Sequence, residues 1–330
     1  MNYQKICSDL LKDLPSRTVS VIERRFGLQE GKRETLEAIG ASYNITRERV
    51  RQIENEGFSK IKPILEKDEK LLKHFQNALT SFGGVKKEDE LLEVLGGKNS
   101  KNQVFFLLTN FKDFERVLED NDCYTCWAVK KASLNNAKNV IKSTIGRLNK
   151  ENQVLDFKDL LKGQKVDKET FVSYINISKN IGKNPGGKYG LNKWIEINPK
   201  GIKDKAYLVL KGENEPIHFT QVAVMIGKLP FAGNNKVHTA TVHNELIKDE
   251  RFVLVGRGLY ALKEWGYEPG IVRDIIVRTL KDSNTALTKE QILSKVSKQR
   301  FVKENTITLN LQNKNYFLRN SQGKYTIKES

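Results

Sequence analysis

The chain has 330 residues, 38% hydrophobic and 29% charged, with 57 Lys+Arg against 40 Asp+Glu for a formal charge of +17. A surplus of that size suits a polyanionic partner, nucleic acid before membrane, and the length suits several modest cores rather than one large one. Three cysteines exclude a disulfide scaffold, and four histidines (His74, His218, His238, His243) leave little for His-based catalysis or a multi-histidine metal site. With no leader-like start and no run of about 18 apolar residues, a cytoplasmic protein without a membrane span is expected.

Arginine is scarce, yet seven of the 15 fall before residue 52: Arg17, Arg24, Arg25, Arg33, Arg47, Arg49 and Arg51. Arg is the side chain that grips phosphate bidentately and reads guanine edges, so the clustering says more than the net charge. The pattern predicts one helix from about Thr35, with Leu36 and Ile39 inward. A second opens at Thr46, a good N-cap, with Val50 and Ile53 inward. The stretch Gly40-Ala41-Ser42-Tyr43-Asn44-Ile45 between them is the short turn a helix-turn-helix needs. On the second helix Arg47 and Arg51 are i,i+4, as are Glu48 and Gln52, so all four project away from Val50 and Ile53. Arg pairs with guanine, Glu accepts from cytosine and Gln brackets adenine. The same spacing also suits an exposed helix with ordinary Arg/Glu salt bridges.

The strings Leu14-Pro15-Ser16-Arg17, Val21-Ile22-Glu23-Arg24-Arg25-Phe26-Gly27-Leu28, Thr35-Leu36-Glu37-Ala38-Ile39-Gly40 and Ile45-Thr46-Arg47-Glu48-Arg49-Val50-Arg51-Gln52-Ile53-Glu54 resemble region four of primary bacterial sigma factors, over about residues 5–63. The resemblance implies that Arg47, Glu48, Arg51 and Gln52 touch bases of a minus-35-like promoter element. It makes Arg17, Arg25, Thr35 and Arg49 candidates for phosphate contact. It further implies docking on the β flap of the RNA polymerase core through an apolar pocket, here supplied by Leu10, Leu11, Val21, Ile22 and Phe26. Two departures stand out. Asn55-Glu56-Gly57-Phe58 replaces a basic, alanine-rich continuation, and Gly57 is expected to weaken the helix by up to about 1 kcal/mol. The chain also starts at region four, and no segment resembles the strand-melting region two, so a complete sigma factor is not expected.

Beyond the head, a unit of about 65 residues recurs: helices followed by two short β segments around a tight turn. The expected fold class is mainly α with small β-hairpin wings, a sigma-like helix-turn-helix (1–66) followed by tandem winged helix-turn-helix domains at 67–130, 131–200, 201–267 and 268–330. In 201–267 the matches Pro216-Ile217-His218-Phe219, Thr241-Val242 and Arg251–Leu262, with Trp265-Gly266 after them, resemble the HARE-HTH winged helix of the RNA polymerase delta subunit. That family is associated with DNA binding or polymerase contact. Helix Thr220–Ile226 is expected to be capped by Thr220, and each copy to close with an aromatic on its outgoing strand: Trp127, Trp194, Tyr260 and Tyr325. Lys179, Lys183 and Lys188, Arg257, and Arg319 with Lys324 are wing candidates for phosphate contact. The first wing carries Glu119, Asp120 and Asp122 and is expected to face protein rather than DNA.

Three motifs point to no chemistry. Cys123-Tyr-Thr-Cys126 has CxxC spacing but no second ligand pair, and on a strand i and i+3 face opposite ways, so buried thiols are expected. Gly182–Gly190 lacks the Gly-Lys-Ser/Thr ending of a P-loop. His238 and His243 are i,i+5 and do not face each other. No enzyme, metal or cofactor is expected. Three functions remain open: a nucleoid-associated bacterial transcription factor that binds double-stranded DNA, the polymerase core or both; a DNA-binding adaptor of a defence or DNA-processing system whose winged helices dock a further protein partner; and a purely protein-binding scaffold.

Overall fold

A computed structural model describes residues 1–29, 31–231, 237–267, 270–299 and 302–328. The chain divides into two compact units, Met1–Lys193 and Trp194–Ser330. Among the described residues no helix is long and apolar enough to cross a membrane.

The first unit opens with four helices: α1 (Tyr3–Leu11), α2 (Ser16–Phe26), α3 (Leu36–Ser42) and α4 (Arg47–Leu65). Their ends carry the chemistry expected of helix termini. The Asn2, Thr35 and Thr46 side chains accept from the amides of Lys5, Ala38 and Arg49, and α2 stops at Gly27 in a left-handed conformation (φ 63°). A small core of Val21, Ile39, Val50 and Ile53 closes α2, α3 and α4 on one another.

Next come α5 (Glu69–Thr80), β1 (Val85–Lys87), α6 (Glu88–Gly96), α7 (Lys101–Asn110), β2 (Glu115–Val117) and β3 (Cys126–Ala128), an antiparallel sheet in the order β1-β3-β2. Then follow α8 (Lys131–Glu151), α9 (Phe157–Leu161), α10 (Lys168–Asn176), β4 (Ile181–Lys183) and β5 (Tyr189–Leu191). The second unit holds α11 (Gly201–Glu213), β6 (Ile217–His218), α12 (Phe219–Lys228), α13 (Thr239–Lys248), β7 (Phe252–Leu254) and β8 (Leu259–Leu262), with sheet order β6-β8-β7. After a 3-10 turn at Lys263–Trp265 it continues through α14 (Val272–Ser283), α15 (Lys289–Gln299), α16 (Glu304–Leu311), β9 (Phe317–Arg319) and β10 (Tyr325–Ile327).

One connection scheme runs through all four copies. A helix leads to an extended residue or short strand that pairs antiparallel with the last strand, and two helices and a hairpin follow. The pairings are Val85–Lys87 with Cys126–Ala128, Ile217–His218 with Leu259–Tyr260, and the single bridges Leu155 to Tyr189 and Leu287 to Tyr325. Two local expectations differ. β5 ends at Leu191, so Tyr189, not Trp194, is the aromatic on that strand. His218 rather than Thr220 caps α12, because its Nδ1 receives the Thr220 amide.

The cores do not follow the expected boundary at 66/67. One cluster joins Tyr3, Cys7, Leu10, Leu11, Ile22, Phe26, Ile61 and Leu65 of the head to Leu71, Phe75, Val104, Phe106, Leu107 and Trp127 of the following copy. The first two repeats are bonded as well. The Ser173 hydroxyl donates to the Val85 carbonyl (2.6 Å), and the Tyr174 hydroxyl to that of Gly83 (2.7 Å). In the second unit, 201–265 and 272–327 each form a core of their own.

Candidate nucleic-acid interface

The second helix of the helix-turn-helix, α4, begins at the Thr46 cap with its first two turns in solvent. Arg47, Glu48, Arg49, Arg51 and Gln52 are all exposed, while Val50 and Ile53 are buried on the opposite side. The turn before it depends on two special backbones. Asn44 is left-handed (φ 53°), and a Cβ on Gly40 would lie 2.7 Å from the Ile45 carbonyl oxygen, so the α3–α4 approach requires glycine.

The exposed side chains hold one another. Glu48 receives the Arg51 guanidinium in a fork, Nε to Oε2 at 3.0 Å and Nη2 to Oε1 at 2.5 Å, and that bond holds the Glu48 carboxyl below its ordinary range. Arg49 donates to Gln52 (3.0 Å) and lies 3.6 Å from Glu56, while Arg47 is 3.9 Å from Glu37 of α3. These pairs sit in water and contribute little stability. Their effect is to present guanidinium, carboxylate and amide groups as an ordered set, the groups that bond to base edges in a major groove.

The other arginines divide into two sets. Arg17 is exposed and stacks over the Tyr43 ring (5.1 Å), whose hydroxyl donates to Ser20 (2.9 Å). Thr35 is exposed and caps α3. Arg24, Arg25 and Arg33 are structural bolts. Arg24 forks onto Glu34 at 2.7 Å twice, and Arg25 donates to the Glu34 carbonyl (3.0 Å) and lies 3.7 Å from Glu54. Arg33 stacks 3.9 Å over Phe105 and donates to Asn102. Arg25, expected at phosphate, is half-buried and engaged. Its neighbour Glu54 is only 9% exposed, and burial pushes that carboxyl up despite the guanidinium.

The expected polymerase-docking residues are not on a surface. Val21 lies in the small core under α4. Leu10, Leu11, Ile22 and Phe26 are buried with α7, where Phe26 meets Phe106 edge-on at 5.2 Å and Phe105 at 5.9 Å. The apolar face of α1 and α2 is thus closed by a helix of the chain itself. Side-chain amides lock that helix in place: Asn102 donates to the carbonyls of Gly27 and Gly31 (3.0 Å each) and Gln103 to that of Leu28 (2.8 Å).

Of the wing candidates, Lys183, Lys188, Arg257 and Arg319 are exposed and Lys324 is half-exposed. Lys183 and Lys188 flank a tight turn in which the Asn184 side chain accepts from the Lys188 amide. Lys179 is withdrawn: its ammonium lies 2.6 Å from both Glu119 Oε1 and the Asp120 carbonyl. The acidic first wing therefore faces the second repeat, where Asn180 also donates to Asp122 (2.9 Å). Cys123 and Cys126 are buried free thiols, and burial pushes Cys126 up to about 12.

Gly57 has a role the sequence pattern hid. A Cβ there would lie 2.7 Å from Ile22 Cδ1 and 2.9 Å from Thr18 Cγ2, so the missing side chain lets α2 and α4 cross closely. The signal was its place, four residues after Ile53 on the inward face. The amides of Asn102 and Gln103 were also missed, because they bond residues more than 70 positions away.

Two helices crossing at a tight turn, the second offering an exposed Arg/Glu/Arg/Gln set from its capped start, define a helix-turn-helix head. Residues 10–62 match the family Sigma-70, region 4. Over 54 residues the chain is 41% identical to the RNA polymerase principal sigma factor HrdD of Streptomyces griseus, covering 16% of each protein. Over 53 residues it is 43% identical to the RNA polymerase sigma factor SigA of Clostridium acetobutylicum, covering 16% of this chain and 14% of that one. The chain thus spans about one sixth of the length of the curated relatives it matches.

Proposed function

We propose that the chain is a bacterial DNA-binding transcription factor whose region-four head reads promoter-like duplex DNA in the major groove. Arg47, Glu48, Arg51 and Gln52 contact bases, while Arg17, Thr35 and Arg49 contact the backbone. The observation that carries this reading is the exposed, mutually ordered side-chain set on the first turns of α4, inside the segment that matches Sigma-70, region 4. The four repeats are read as winged helix-turn-helix modules, the third of HARE-HTH type. Their common connection scheme and the outgoing-strand pairing support that reading. Selection from a randomised duplex pool tests the function. Wild type should enrich a defined motif, and Arg51→Ala or Glu48→Ala should relax it at one or two positions, a cost of about 1–3 kcal/mol. Enrichment of no motif would defeat the reading.

A second reading, a DNA-binding adaptor that works apart from polymerase, is favoured by one observation: α7 fills the apolar face through which the head was expected to dock the β flap. Copurification with polymerase after nuclease digestion separates the two. Retention supports the transcription factor, and recovery of a different enzyme supports the adaptor.

A further inference from the structure

The positive charge is distributed unevenly. Residues 131–200 carry 14 Lys+Arg against 6 Asp+Glu, and residues 268–330 carry 12 against 6. The head (12 against 10), residues 67–130 (10 against 11) and residues 201–267 (9 against 7) are nearly balanced. The second and fourth repeats together therefore supply 14 of the net 17 charges.

Internal pairing sharpens the contrast. In the first repeat Lys73, Lys86, Lys87, Lys112 and Arg116 are each held by a carboxylate; in the third Arg251 bridges Asp204 and Asp249, while Arg257 and Lys263 enter no ion pair among the described residues. In the second and fourth, Lys183, Lys188, Lys303, Lys314 and Lys324 enter no ion pair among the described residues. Such cations are available to an outside anion without breaking a bond.

The third helices decide how that anion can be held. In the second repeat α10 is packed against the first, with Phe171, Ser173 and Tyr174 buried, so it cannot enter a groove. In the fourth, α16 exposes Asn305, Thr306 and Leu309 but carries no Arg, the commonest reader of base edges, and Asn305 is its one exposed side chain suited to adenine. Both hairpins nevertheless place cations beside a tight turn: Lys183 and Lys188 around Asn184–Gly187, and Arg319 and Lys324 around Asn320–Gly323.

We infer that the second and fourth repeats grip the phosphodiester backbone of duplex DNA without reading its sequence, while the first is a protein-packing module between the head and the second repeat. The choice of DNA as the polyanion rests on the proposed reading of the head; the division among the repeats rests on charge and packing alone. The test uses the full chain and a duplex of arbitrary sequence, with affinity measured against salt. Lys183→Gln with Lys188→Gln, and separately Arg319→Gln with Lys324→Gln, should flatten the log–log slope by about 0.9 for each phosphate no longer neutralised. Lys112→Gln, in the first repeat, should leave it unchanged. Unchanged thermal melts show that the substitutions act on binding. Equal slopes for wild type and both wing pairs would overturn the inference, and tighter binding of duplex RNA than DNA would overturn the choice of DNA. Failure of the head's reading is distinguishable: the wild type would then show the wing-dependent slope with no sequence preference at all.

Discussion

Glu54 shows how a single residue reports its surroundings. Desolvation raises its pKa above the ordinary carboxylate value against the pull of Arg25 and Arg51. A raised carboxylate contributes stability that is fully present below its unfolded pKa and is lost as pH rises through the folded one. Glu54→Gln should therefore lose that pH-dependent component, so the variant gains on wild type in melting temperature as pH rises from below the carboxylate range to neutrality. An unchanged difference across that range would show that Arg25 neutralises the group fully. Arg25→Ala should lower the melting temperature, because Glu54 then loses its nearest cation. A variant that melts like wild type but binds all DNA more weakly would return Arg25 to the backbone. Gly40→Ala should cost about 1–3 kcal/mol in urea unfolding, since the Ile45 carbonyl sits where the methyl group would go. The exposed set on the first turns of α4 was legible in the sequence because i,i+4 spacing and the Thr46 cap are local facts. The engagement of Arg24, Arg25 and Arg33 was not, since their partners Glu34, Glu54 and Asn102 are chosen by tertiary packing.

At the scale of elements, α7 departs most from what the chain suggested. Its sequence, Lys101-Asn-Gln-Val-Phe-Phe-Leu-Leu-Thr-Asn110, is apolar on more than one side, which marks a helix covered by more than one neighbour. Phe105 lies between the Arg33 and Arg116 guanidiniums, 3.9 and 5.1 Å from their carbons, and meets Trp127 edge-on. Phe105→Ala, at a half-buried position, should cost about 1–3 kcal/mol and loosen the loop before α3, read as faster amide exchange around residues 31–35. Unchanged exchange would mean that the Asn102 and Gln103 bonds hold the loop alone. The hairpins were legible from their glycine and asparagine turns and alternating apolar residues. The short strand that opens each repeat was harder to see, because in two copies it is one bridged residue, Leu155 or Leu287, too short to show periodicity.

For the whole molecule, the shared core sets the smallest part that can stand alone. A fragment of residues 1–66 would expose Leu10, Leu11, Ile22, Phe26, Ile61 and Leu65 together, whereas a fragment of residues 1–193 keeps them covered. The first should be largely unfolded or aggregated by circular dichroism and sedimentation, and the second monomeric and cooperative. A well-folded 1–66 would mean that α7 is dispensable to the head. The recurrence of about 65 residues was visible in the sequence, but repeat boundaries in sequence are not core boundaries in space. Bonds such as that of Ser173 to Val85 join residues 88 positions apart and leave no local trace.

Among the described residues a seam of this kind contains no hinge. The loop before α3 is fastened to α7 by Asn102, Gln103 and the Arg33–Phe105 stack, and the far end of α4 is buried at Ile61 and Leu65 in the same core. Torque applied to α4 by a bent or overtwisted duplex would therefore pass into α7 rather than dissipate in a linker. On the proposed reading the head meets duplex DNA in one piece with α7, so a strain imposed on α4 by the duplex would load the Phe26–Phe106 contact rather than a linker.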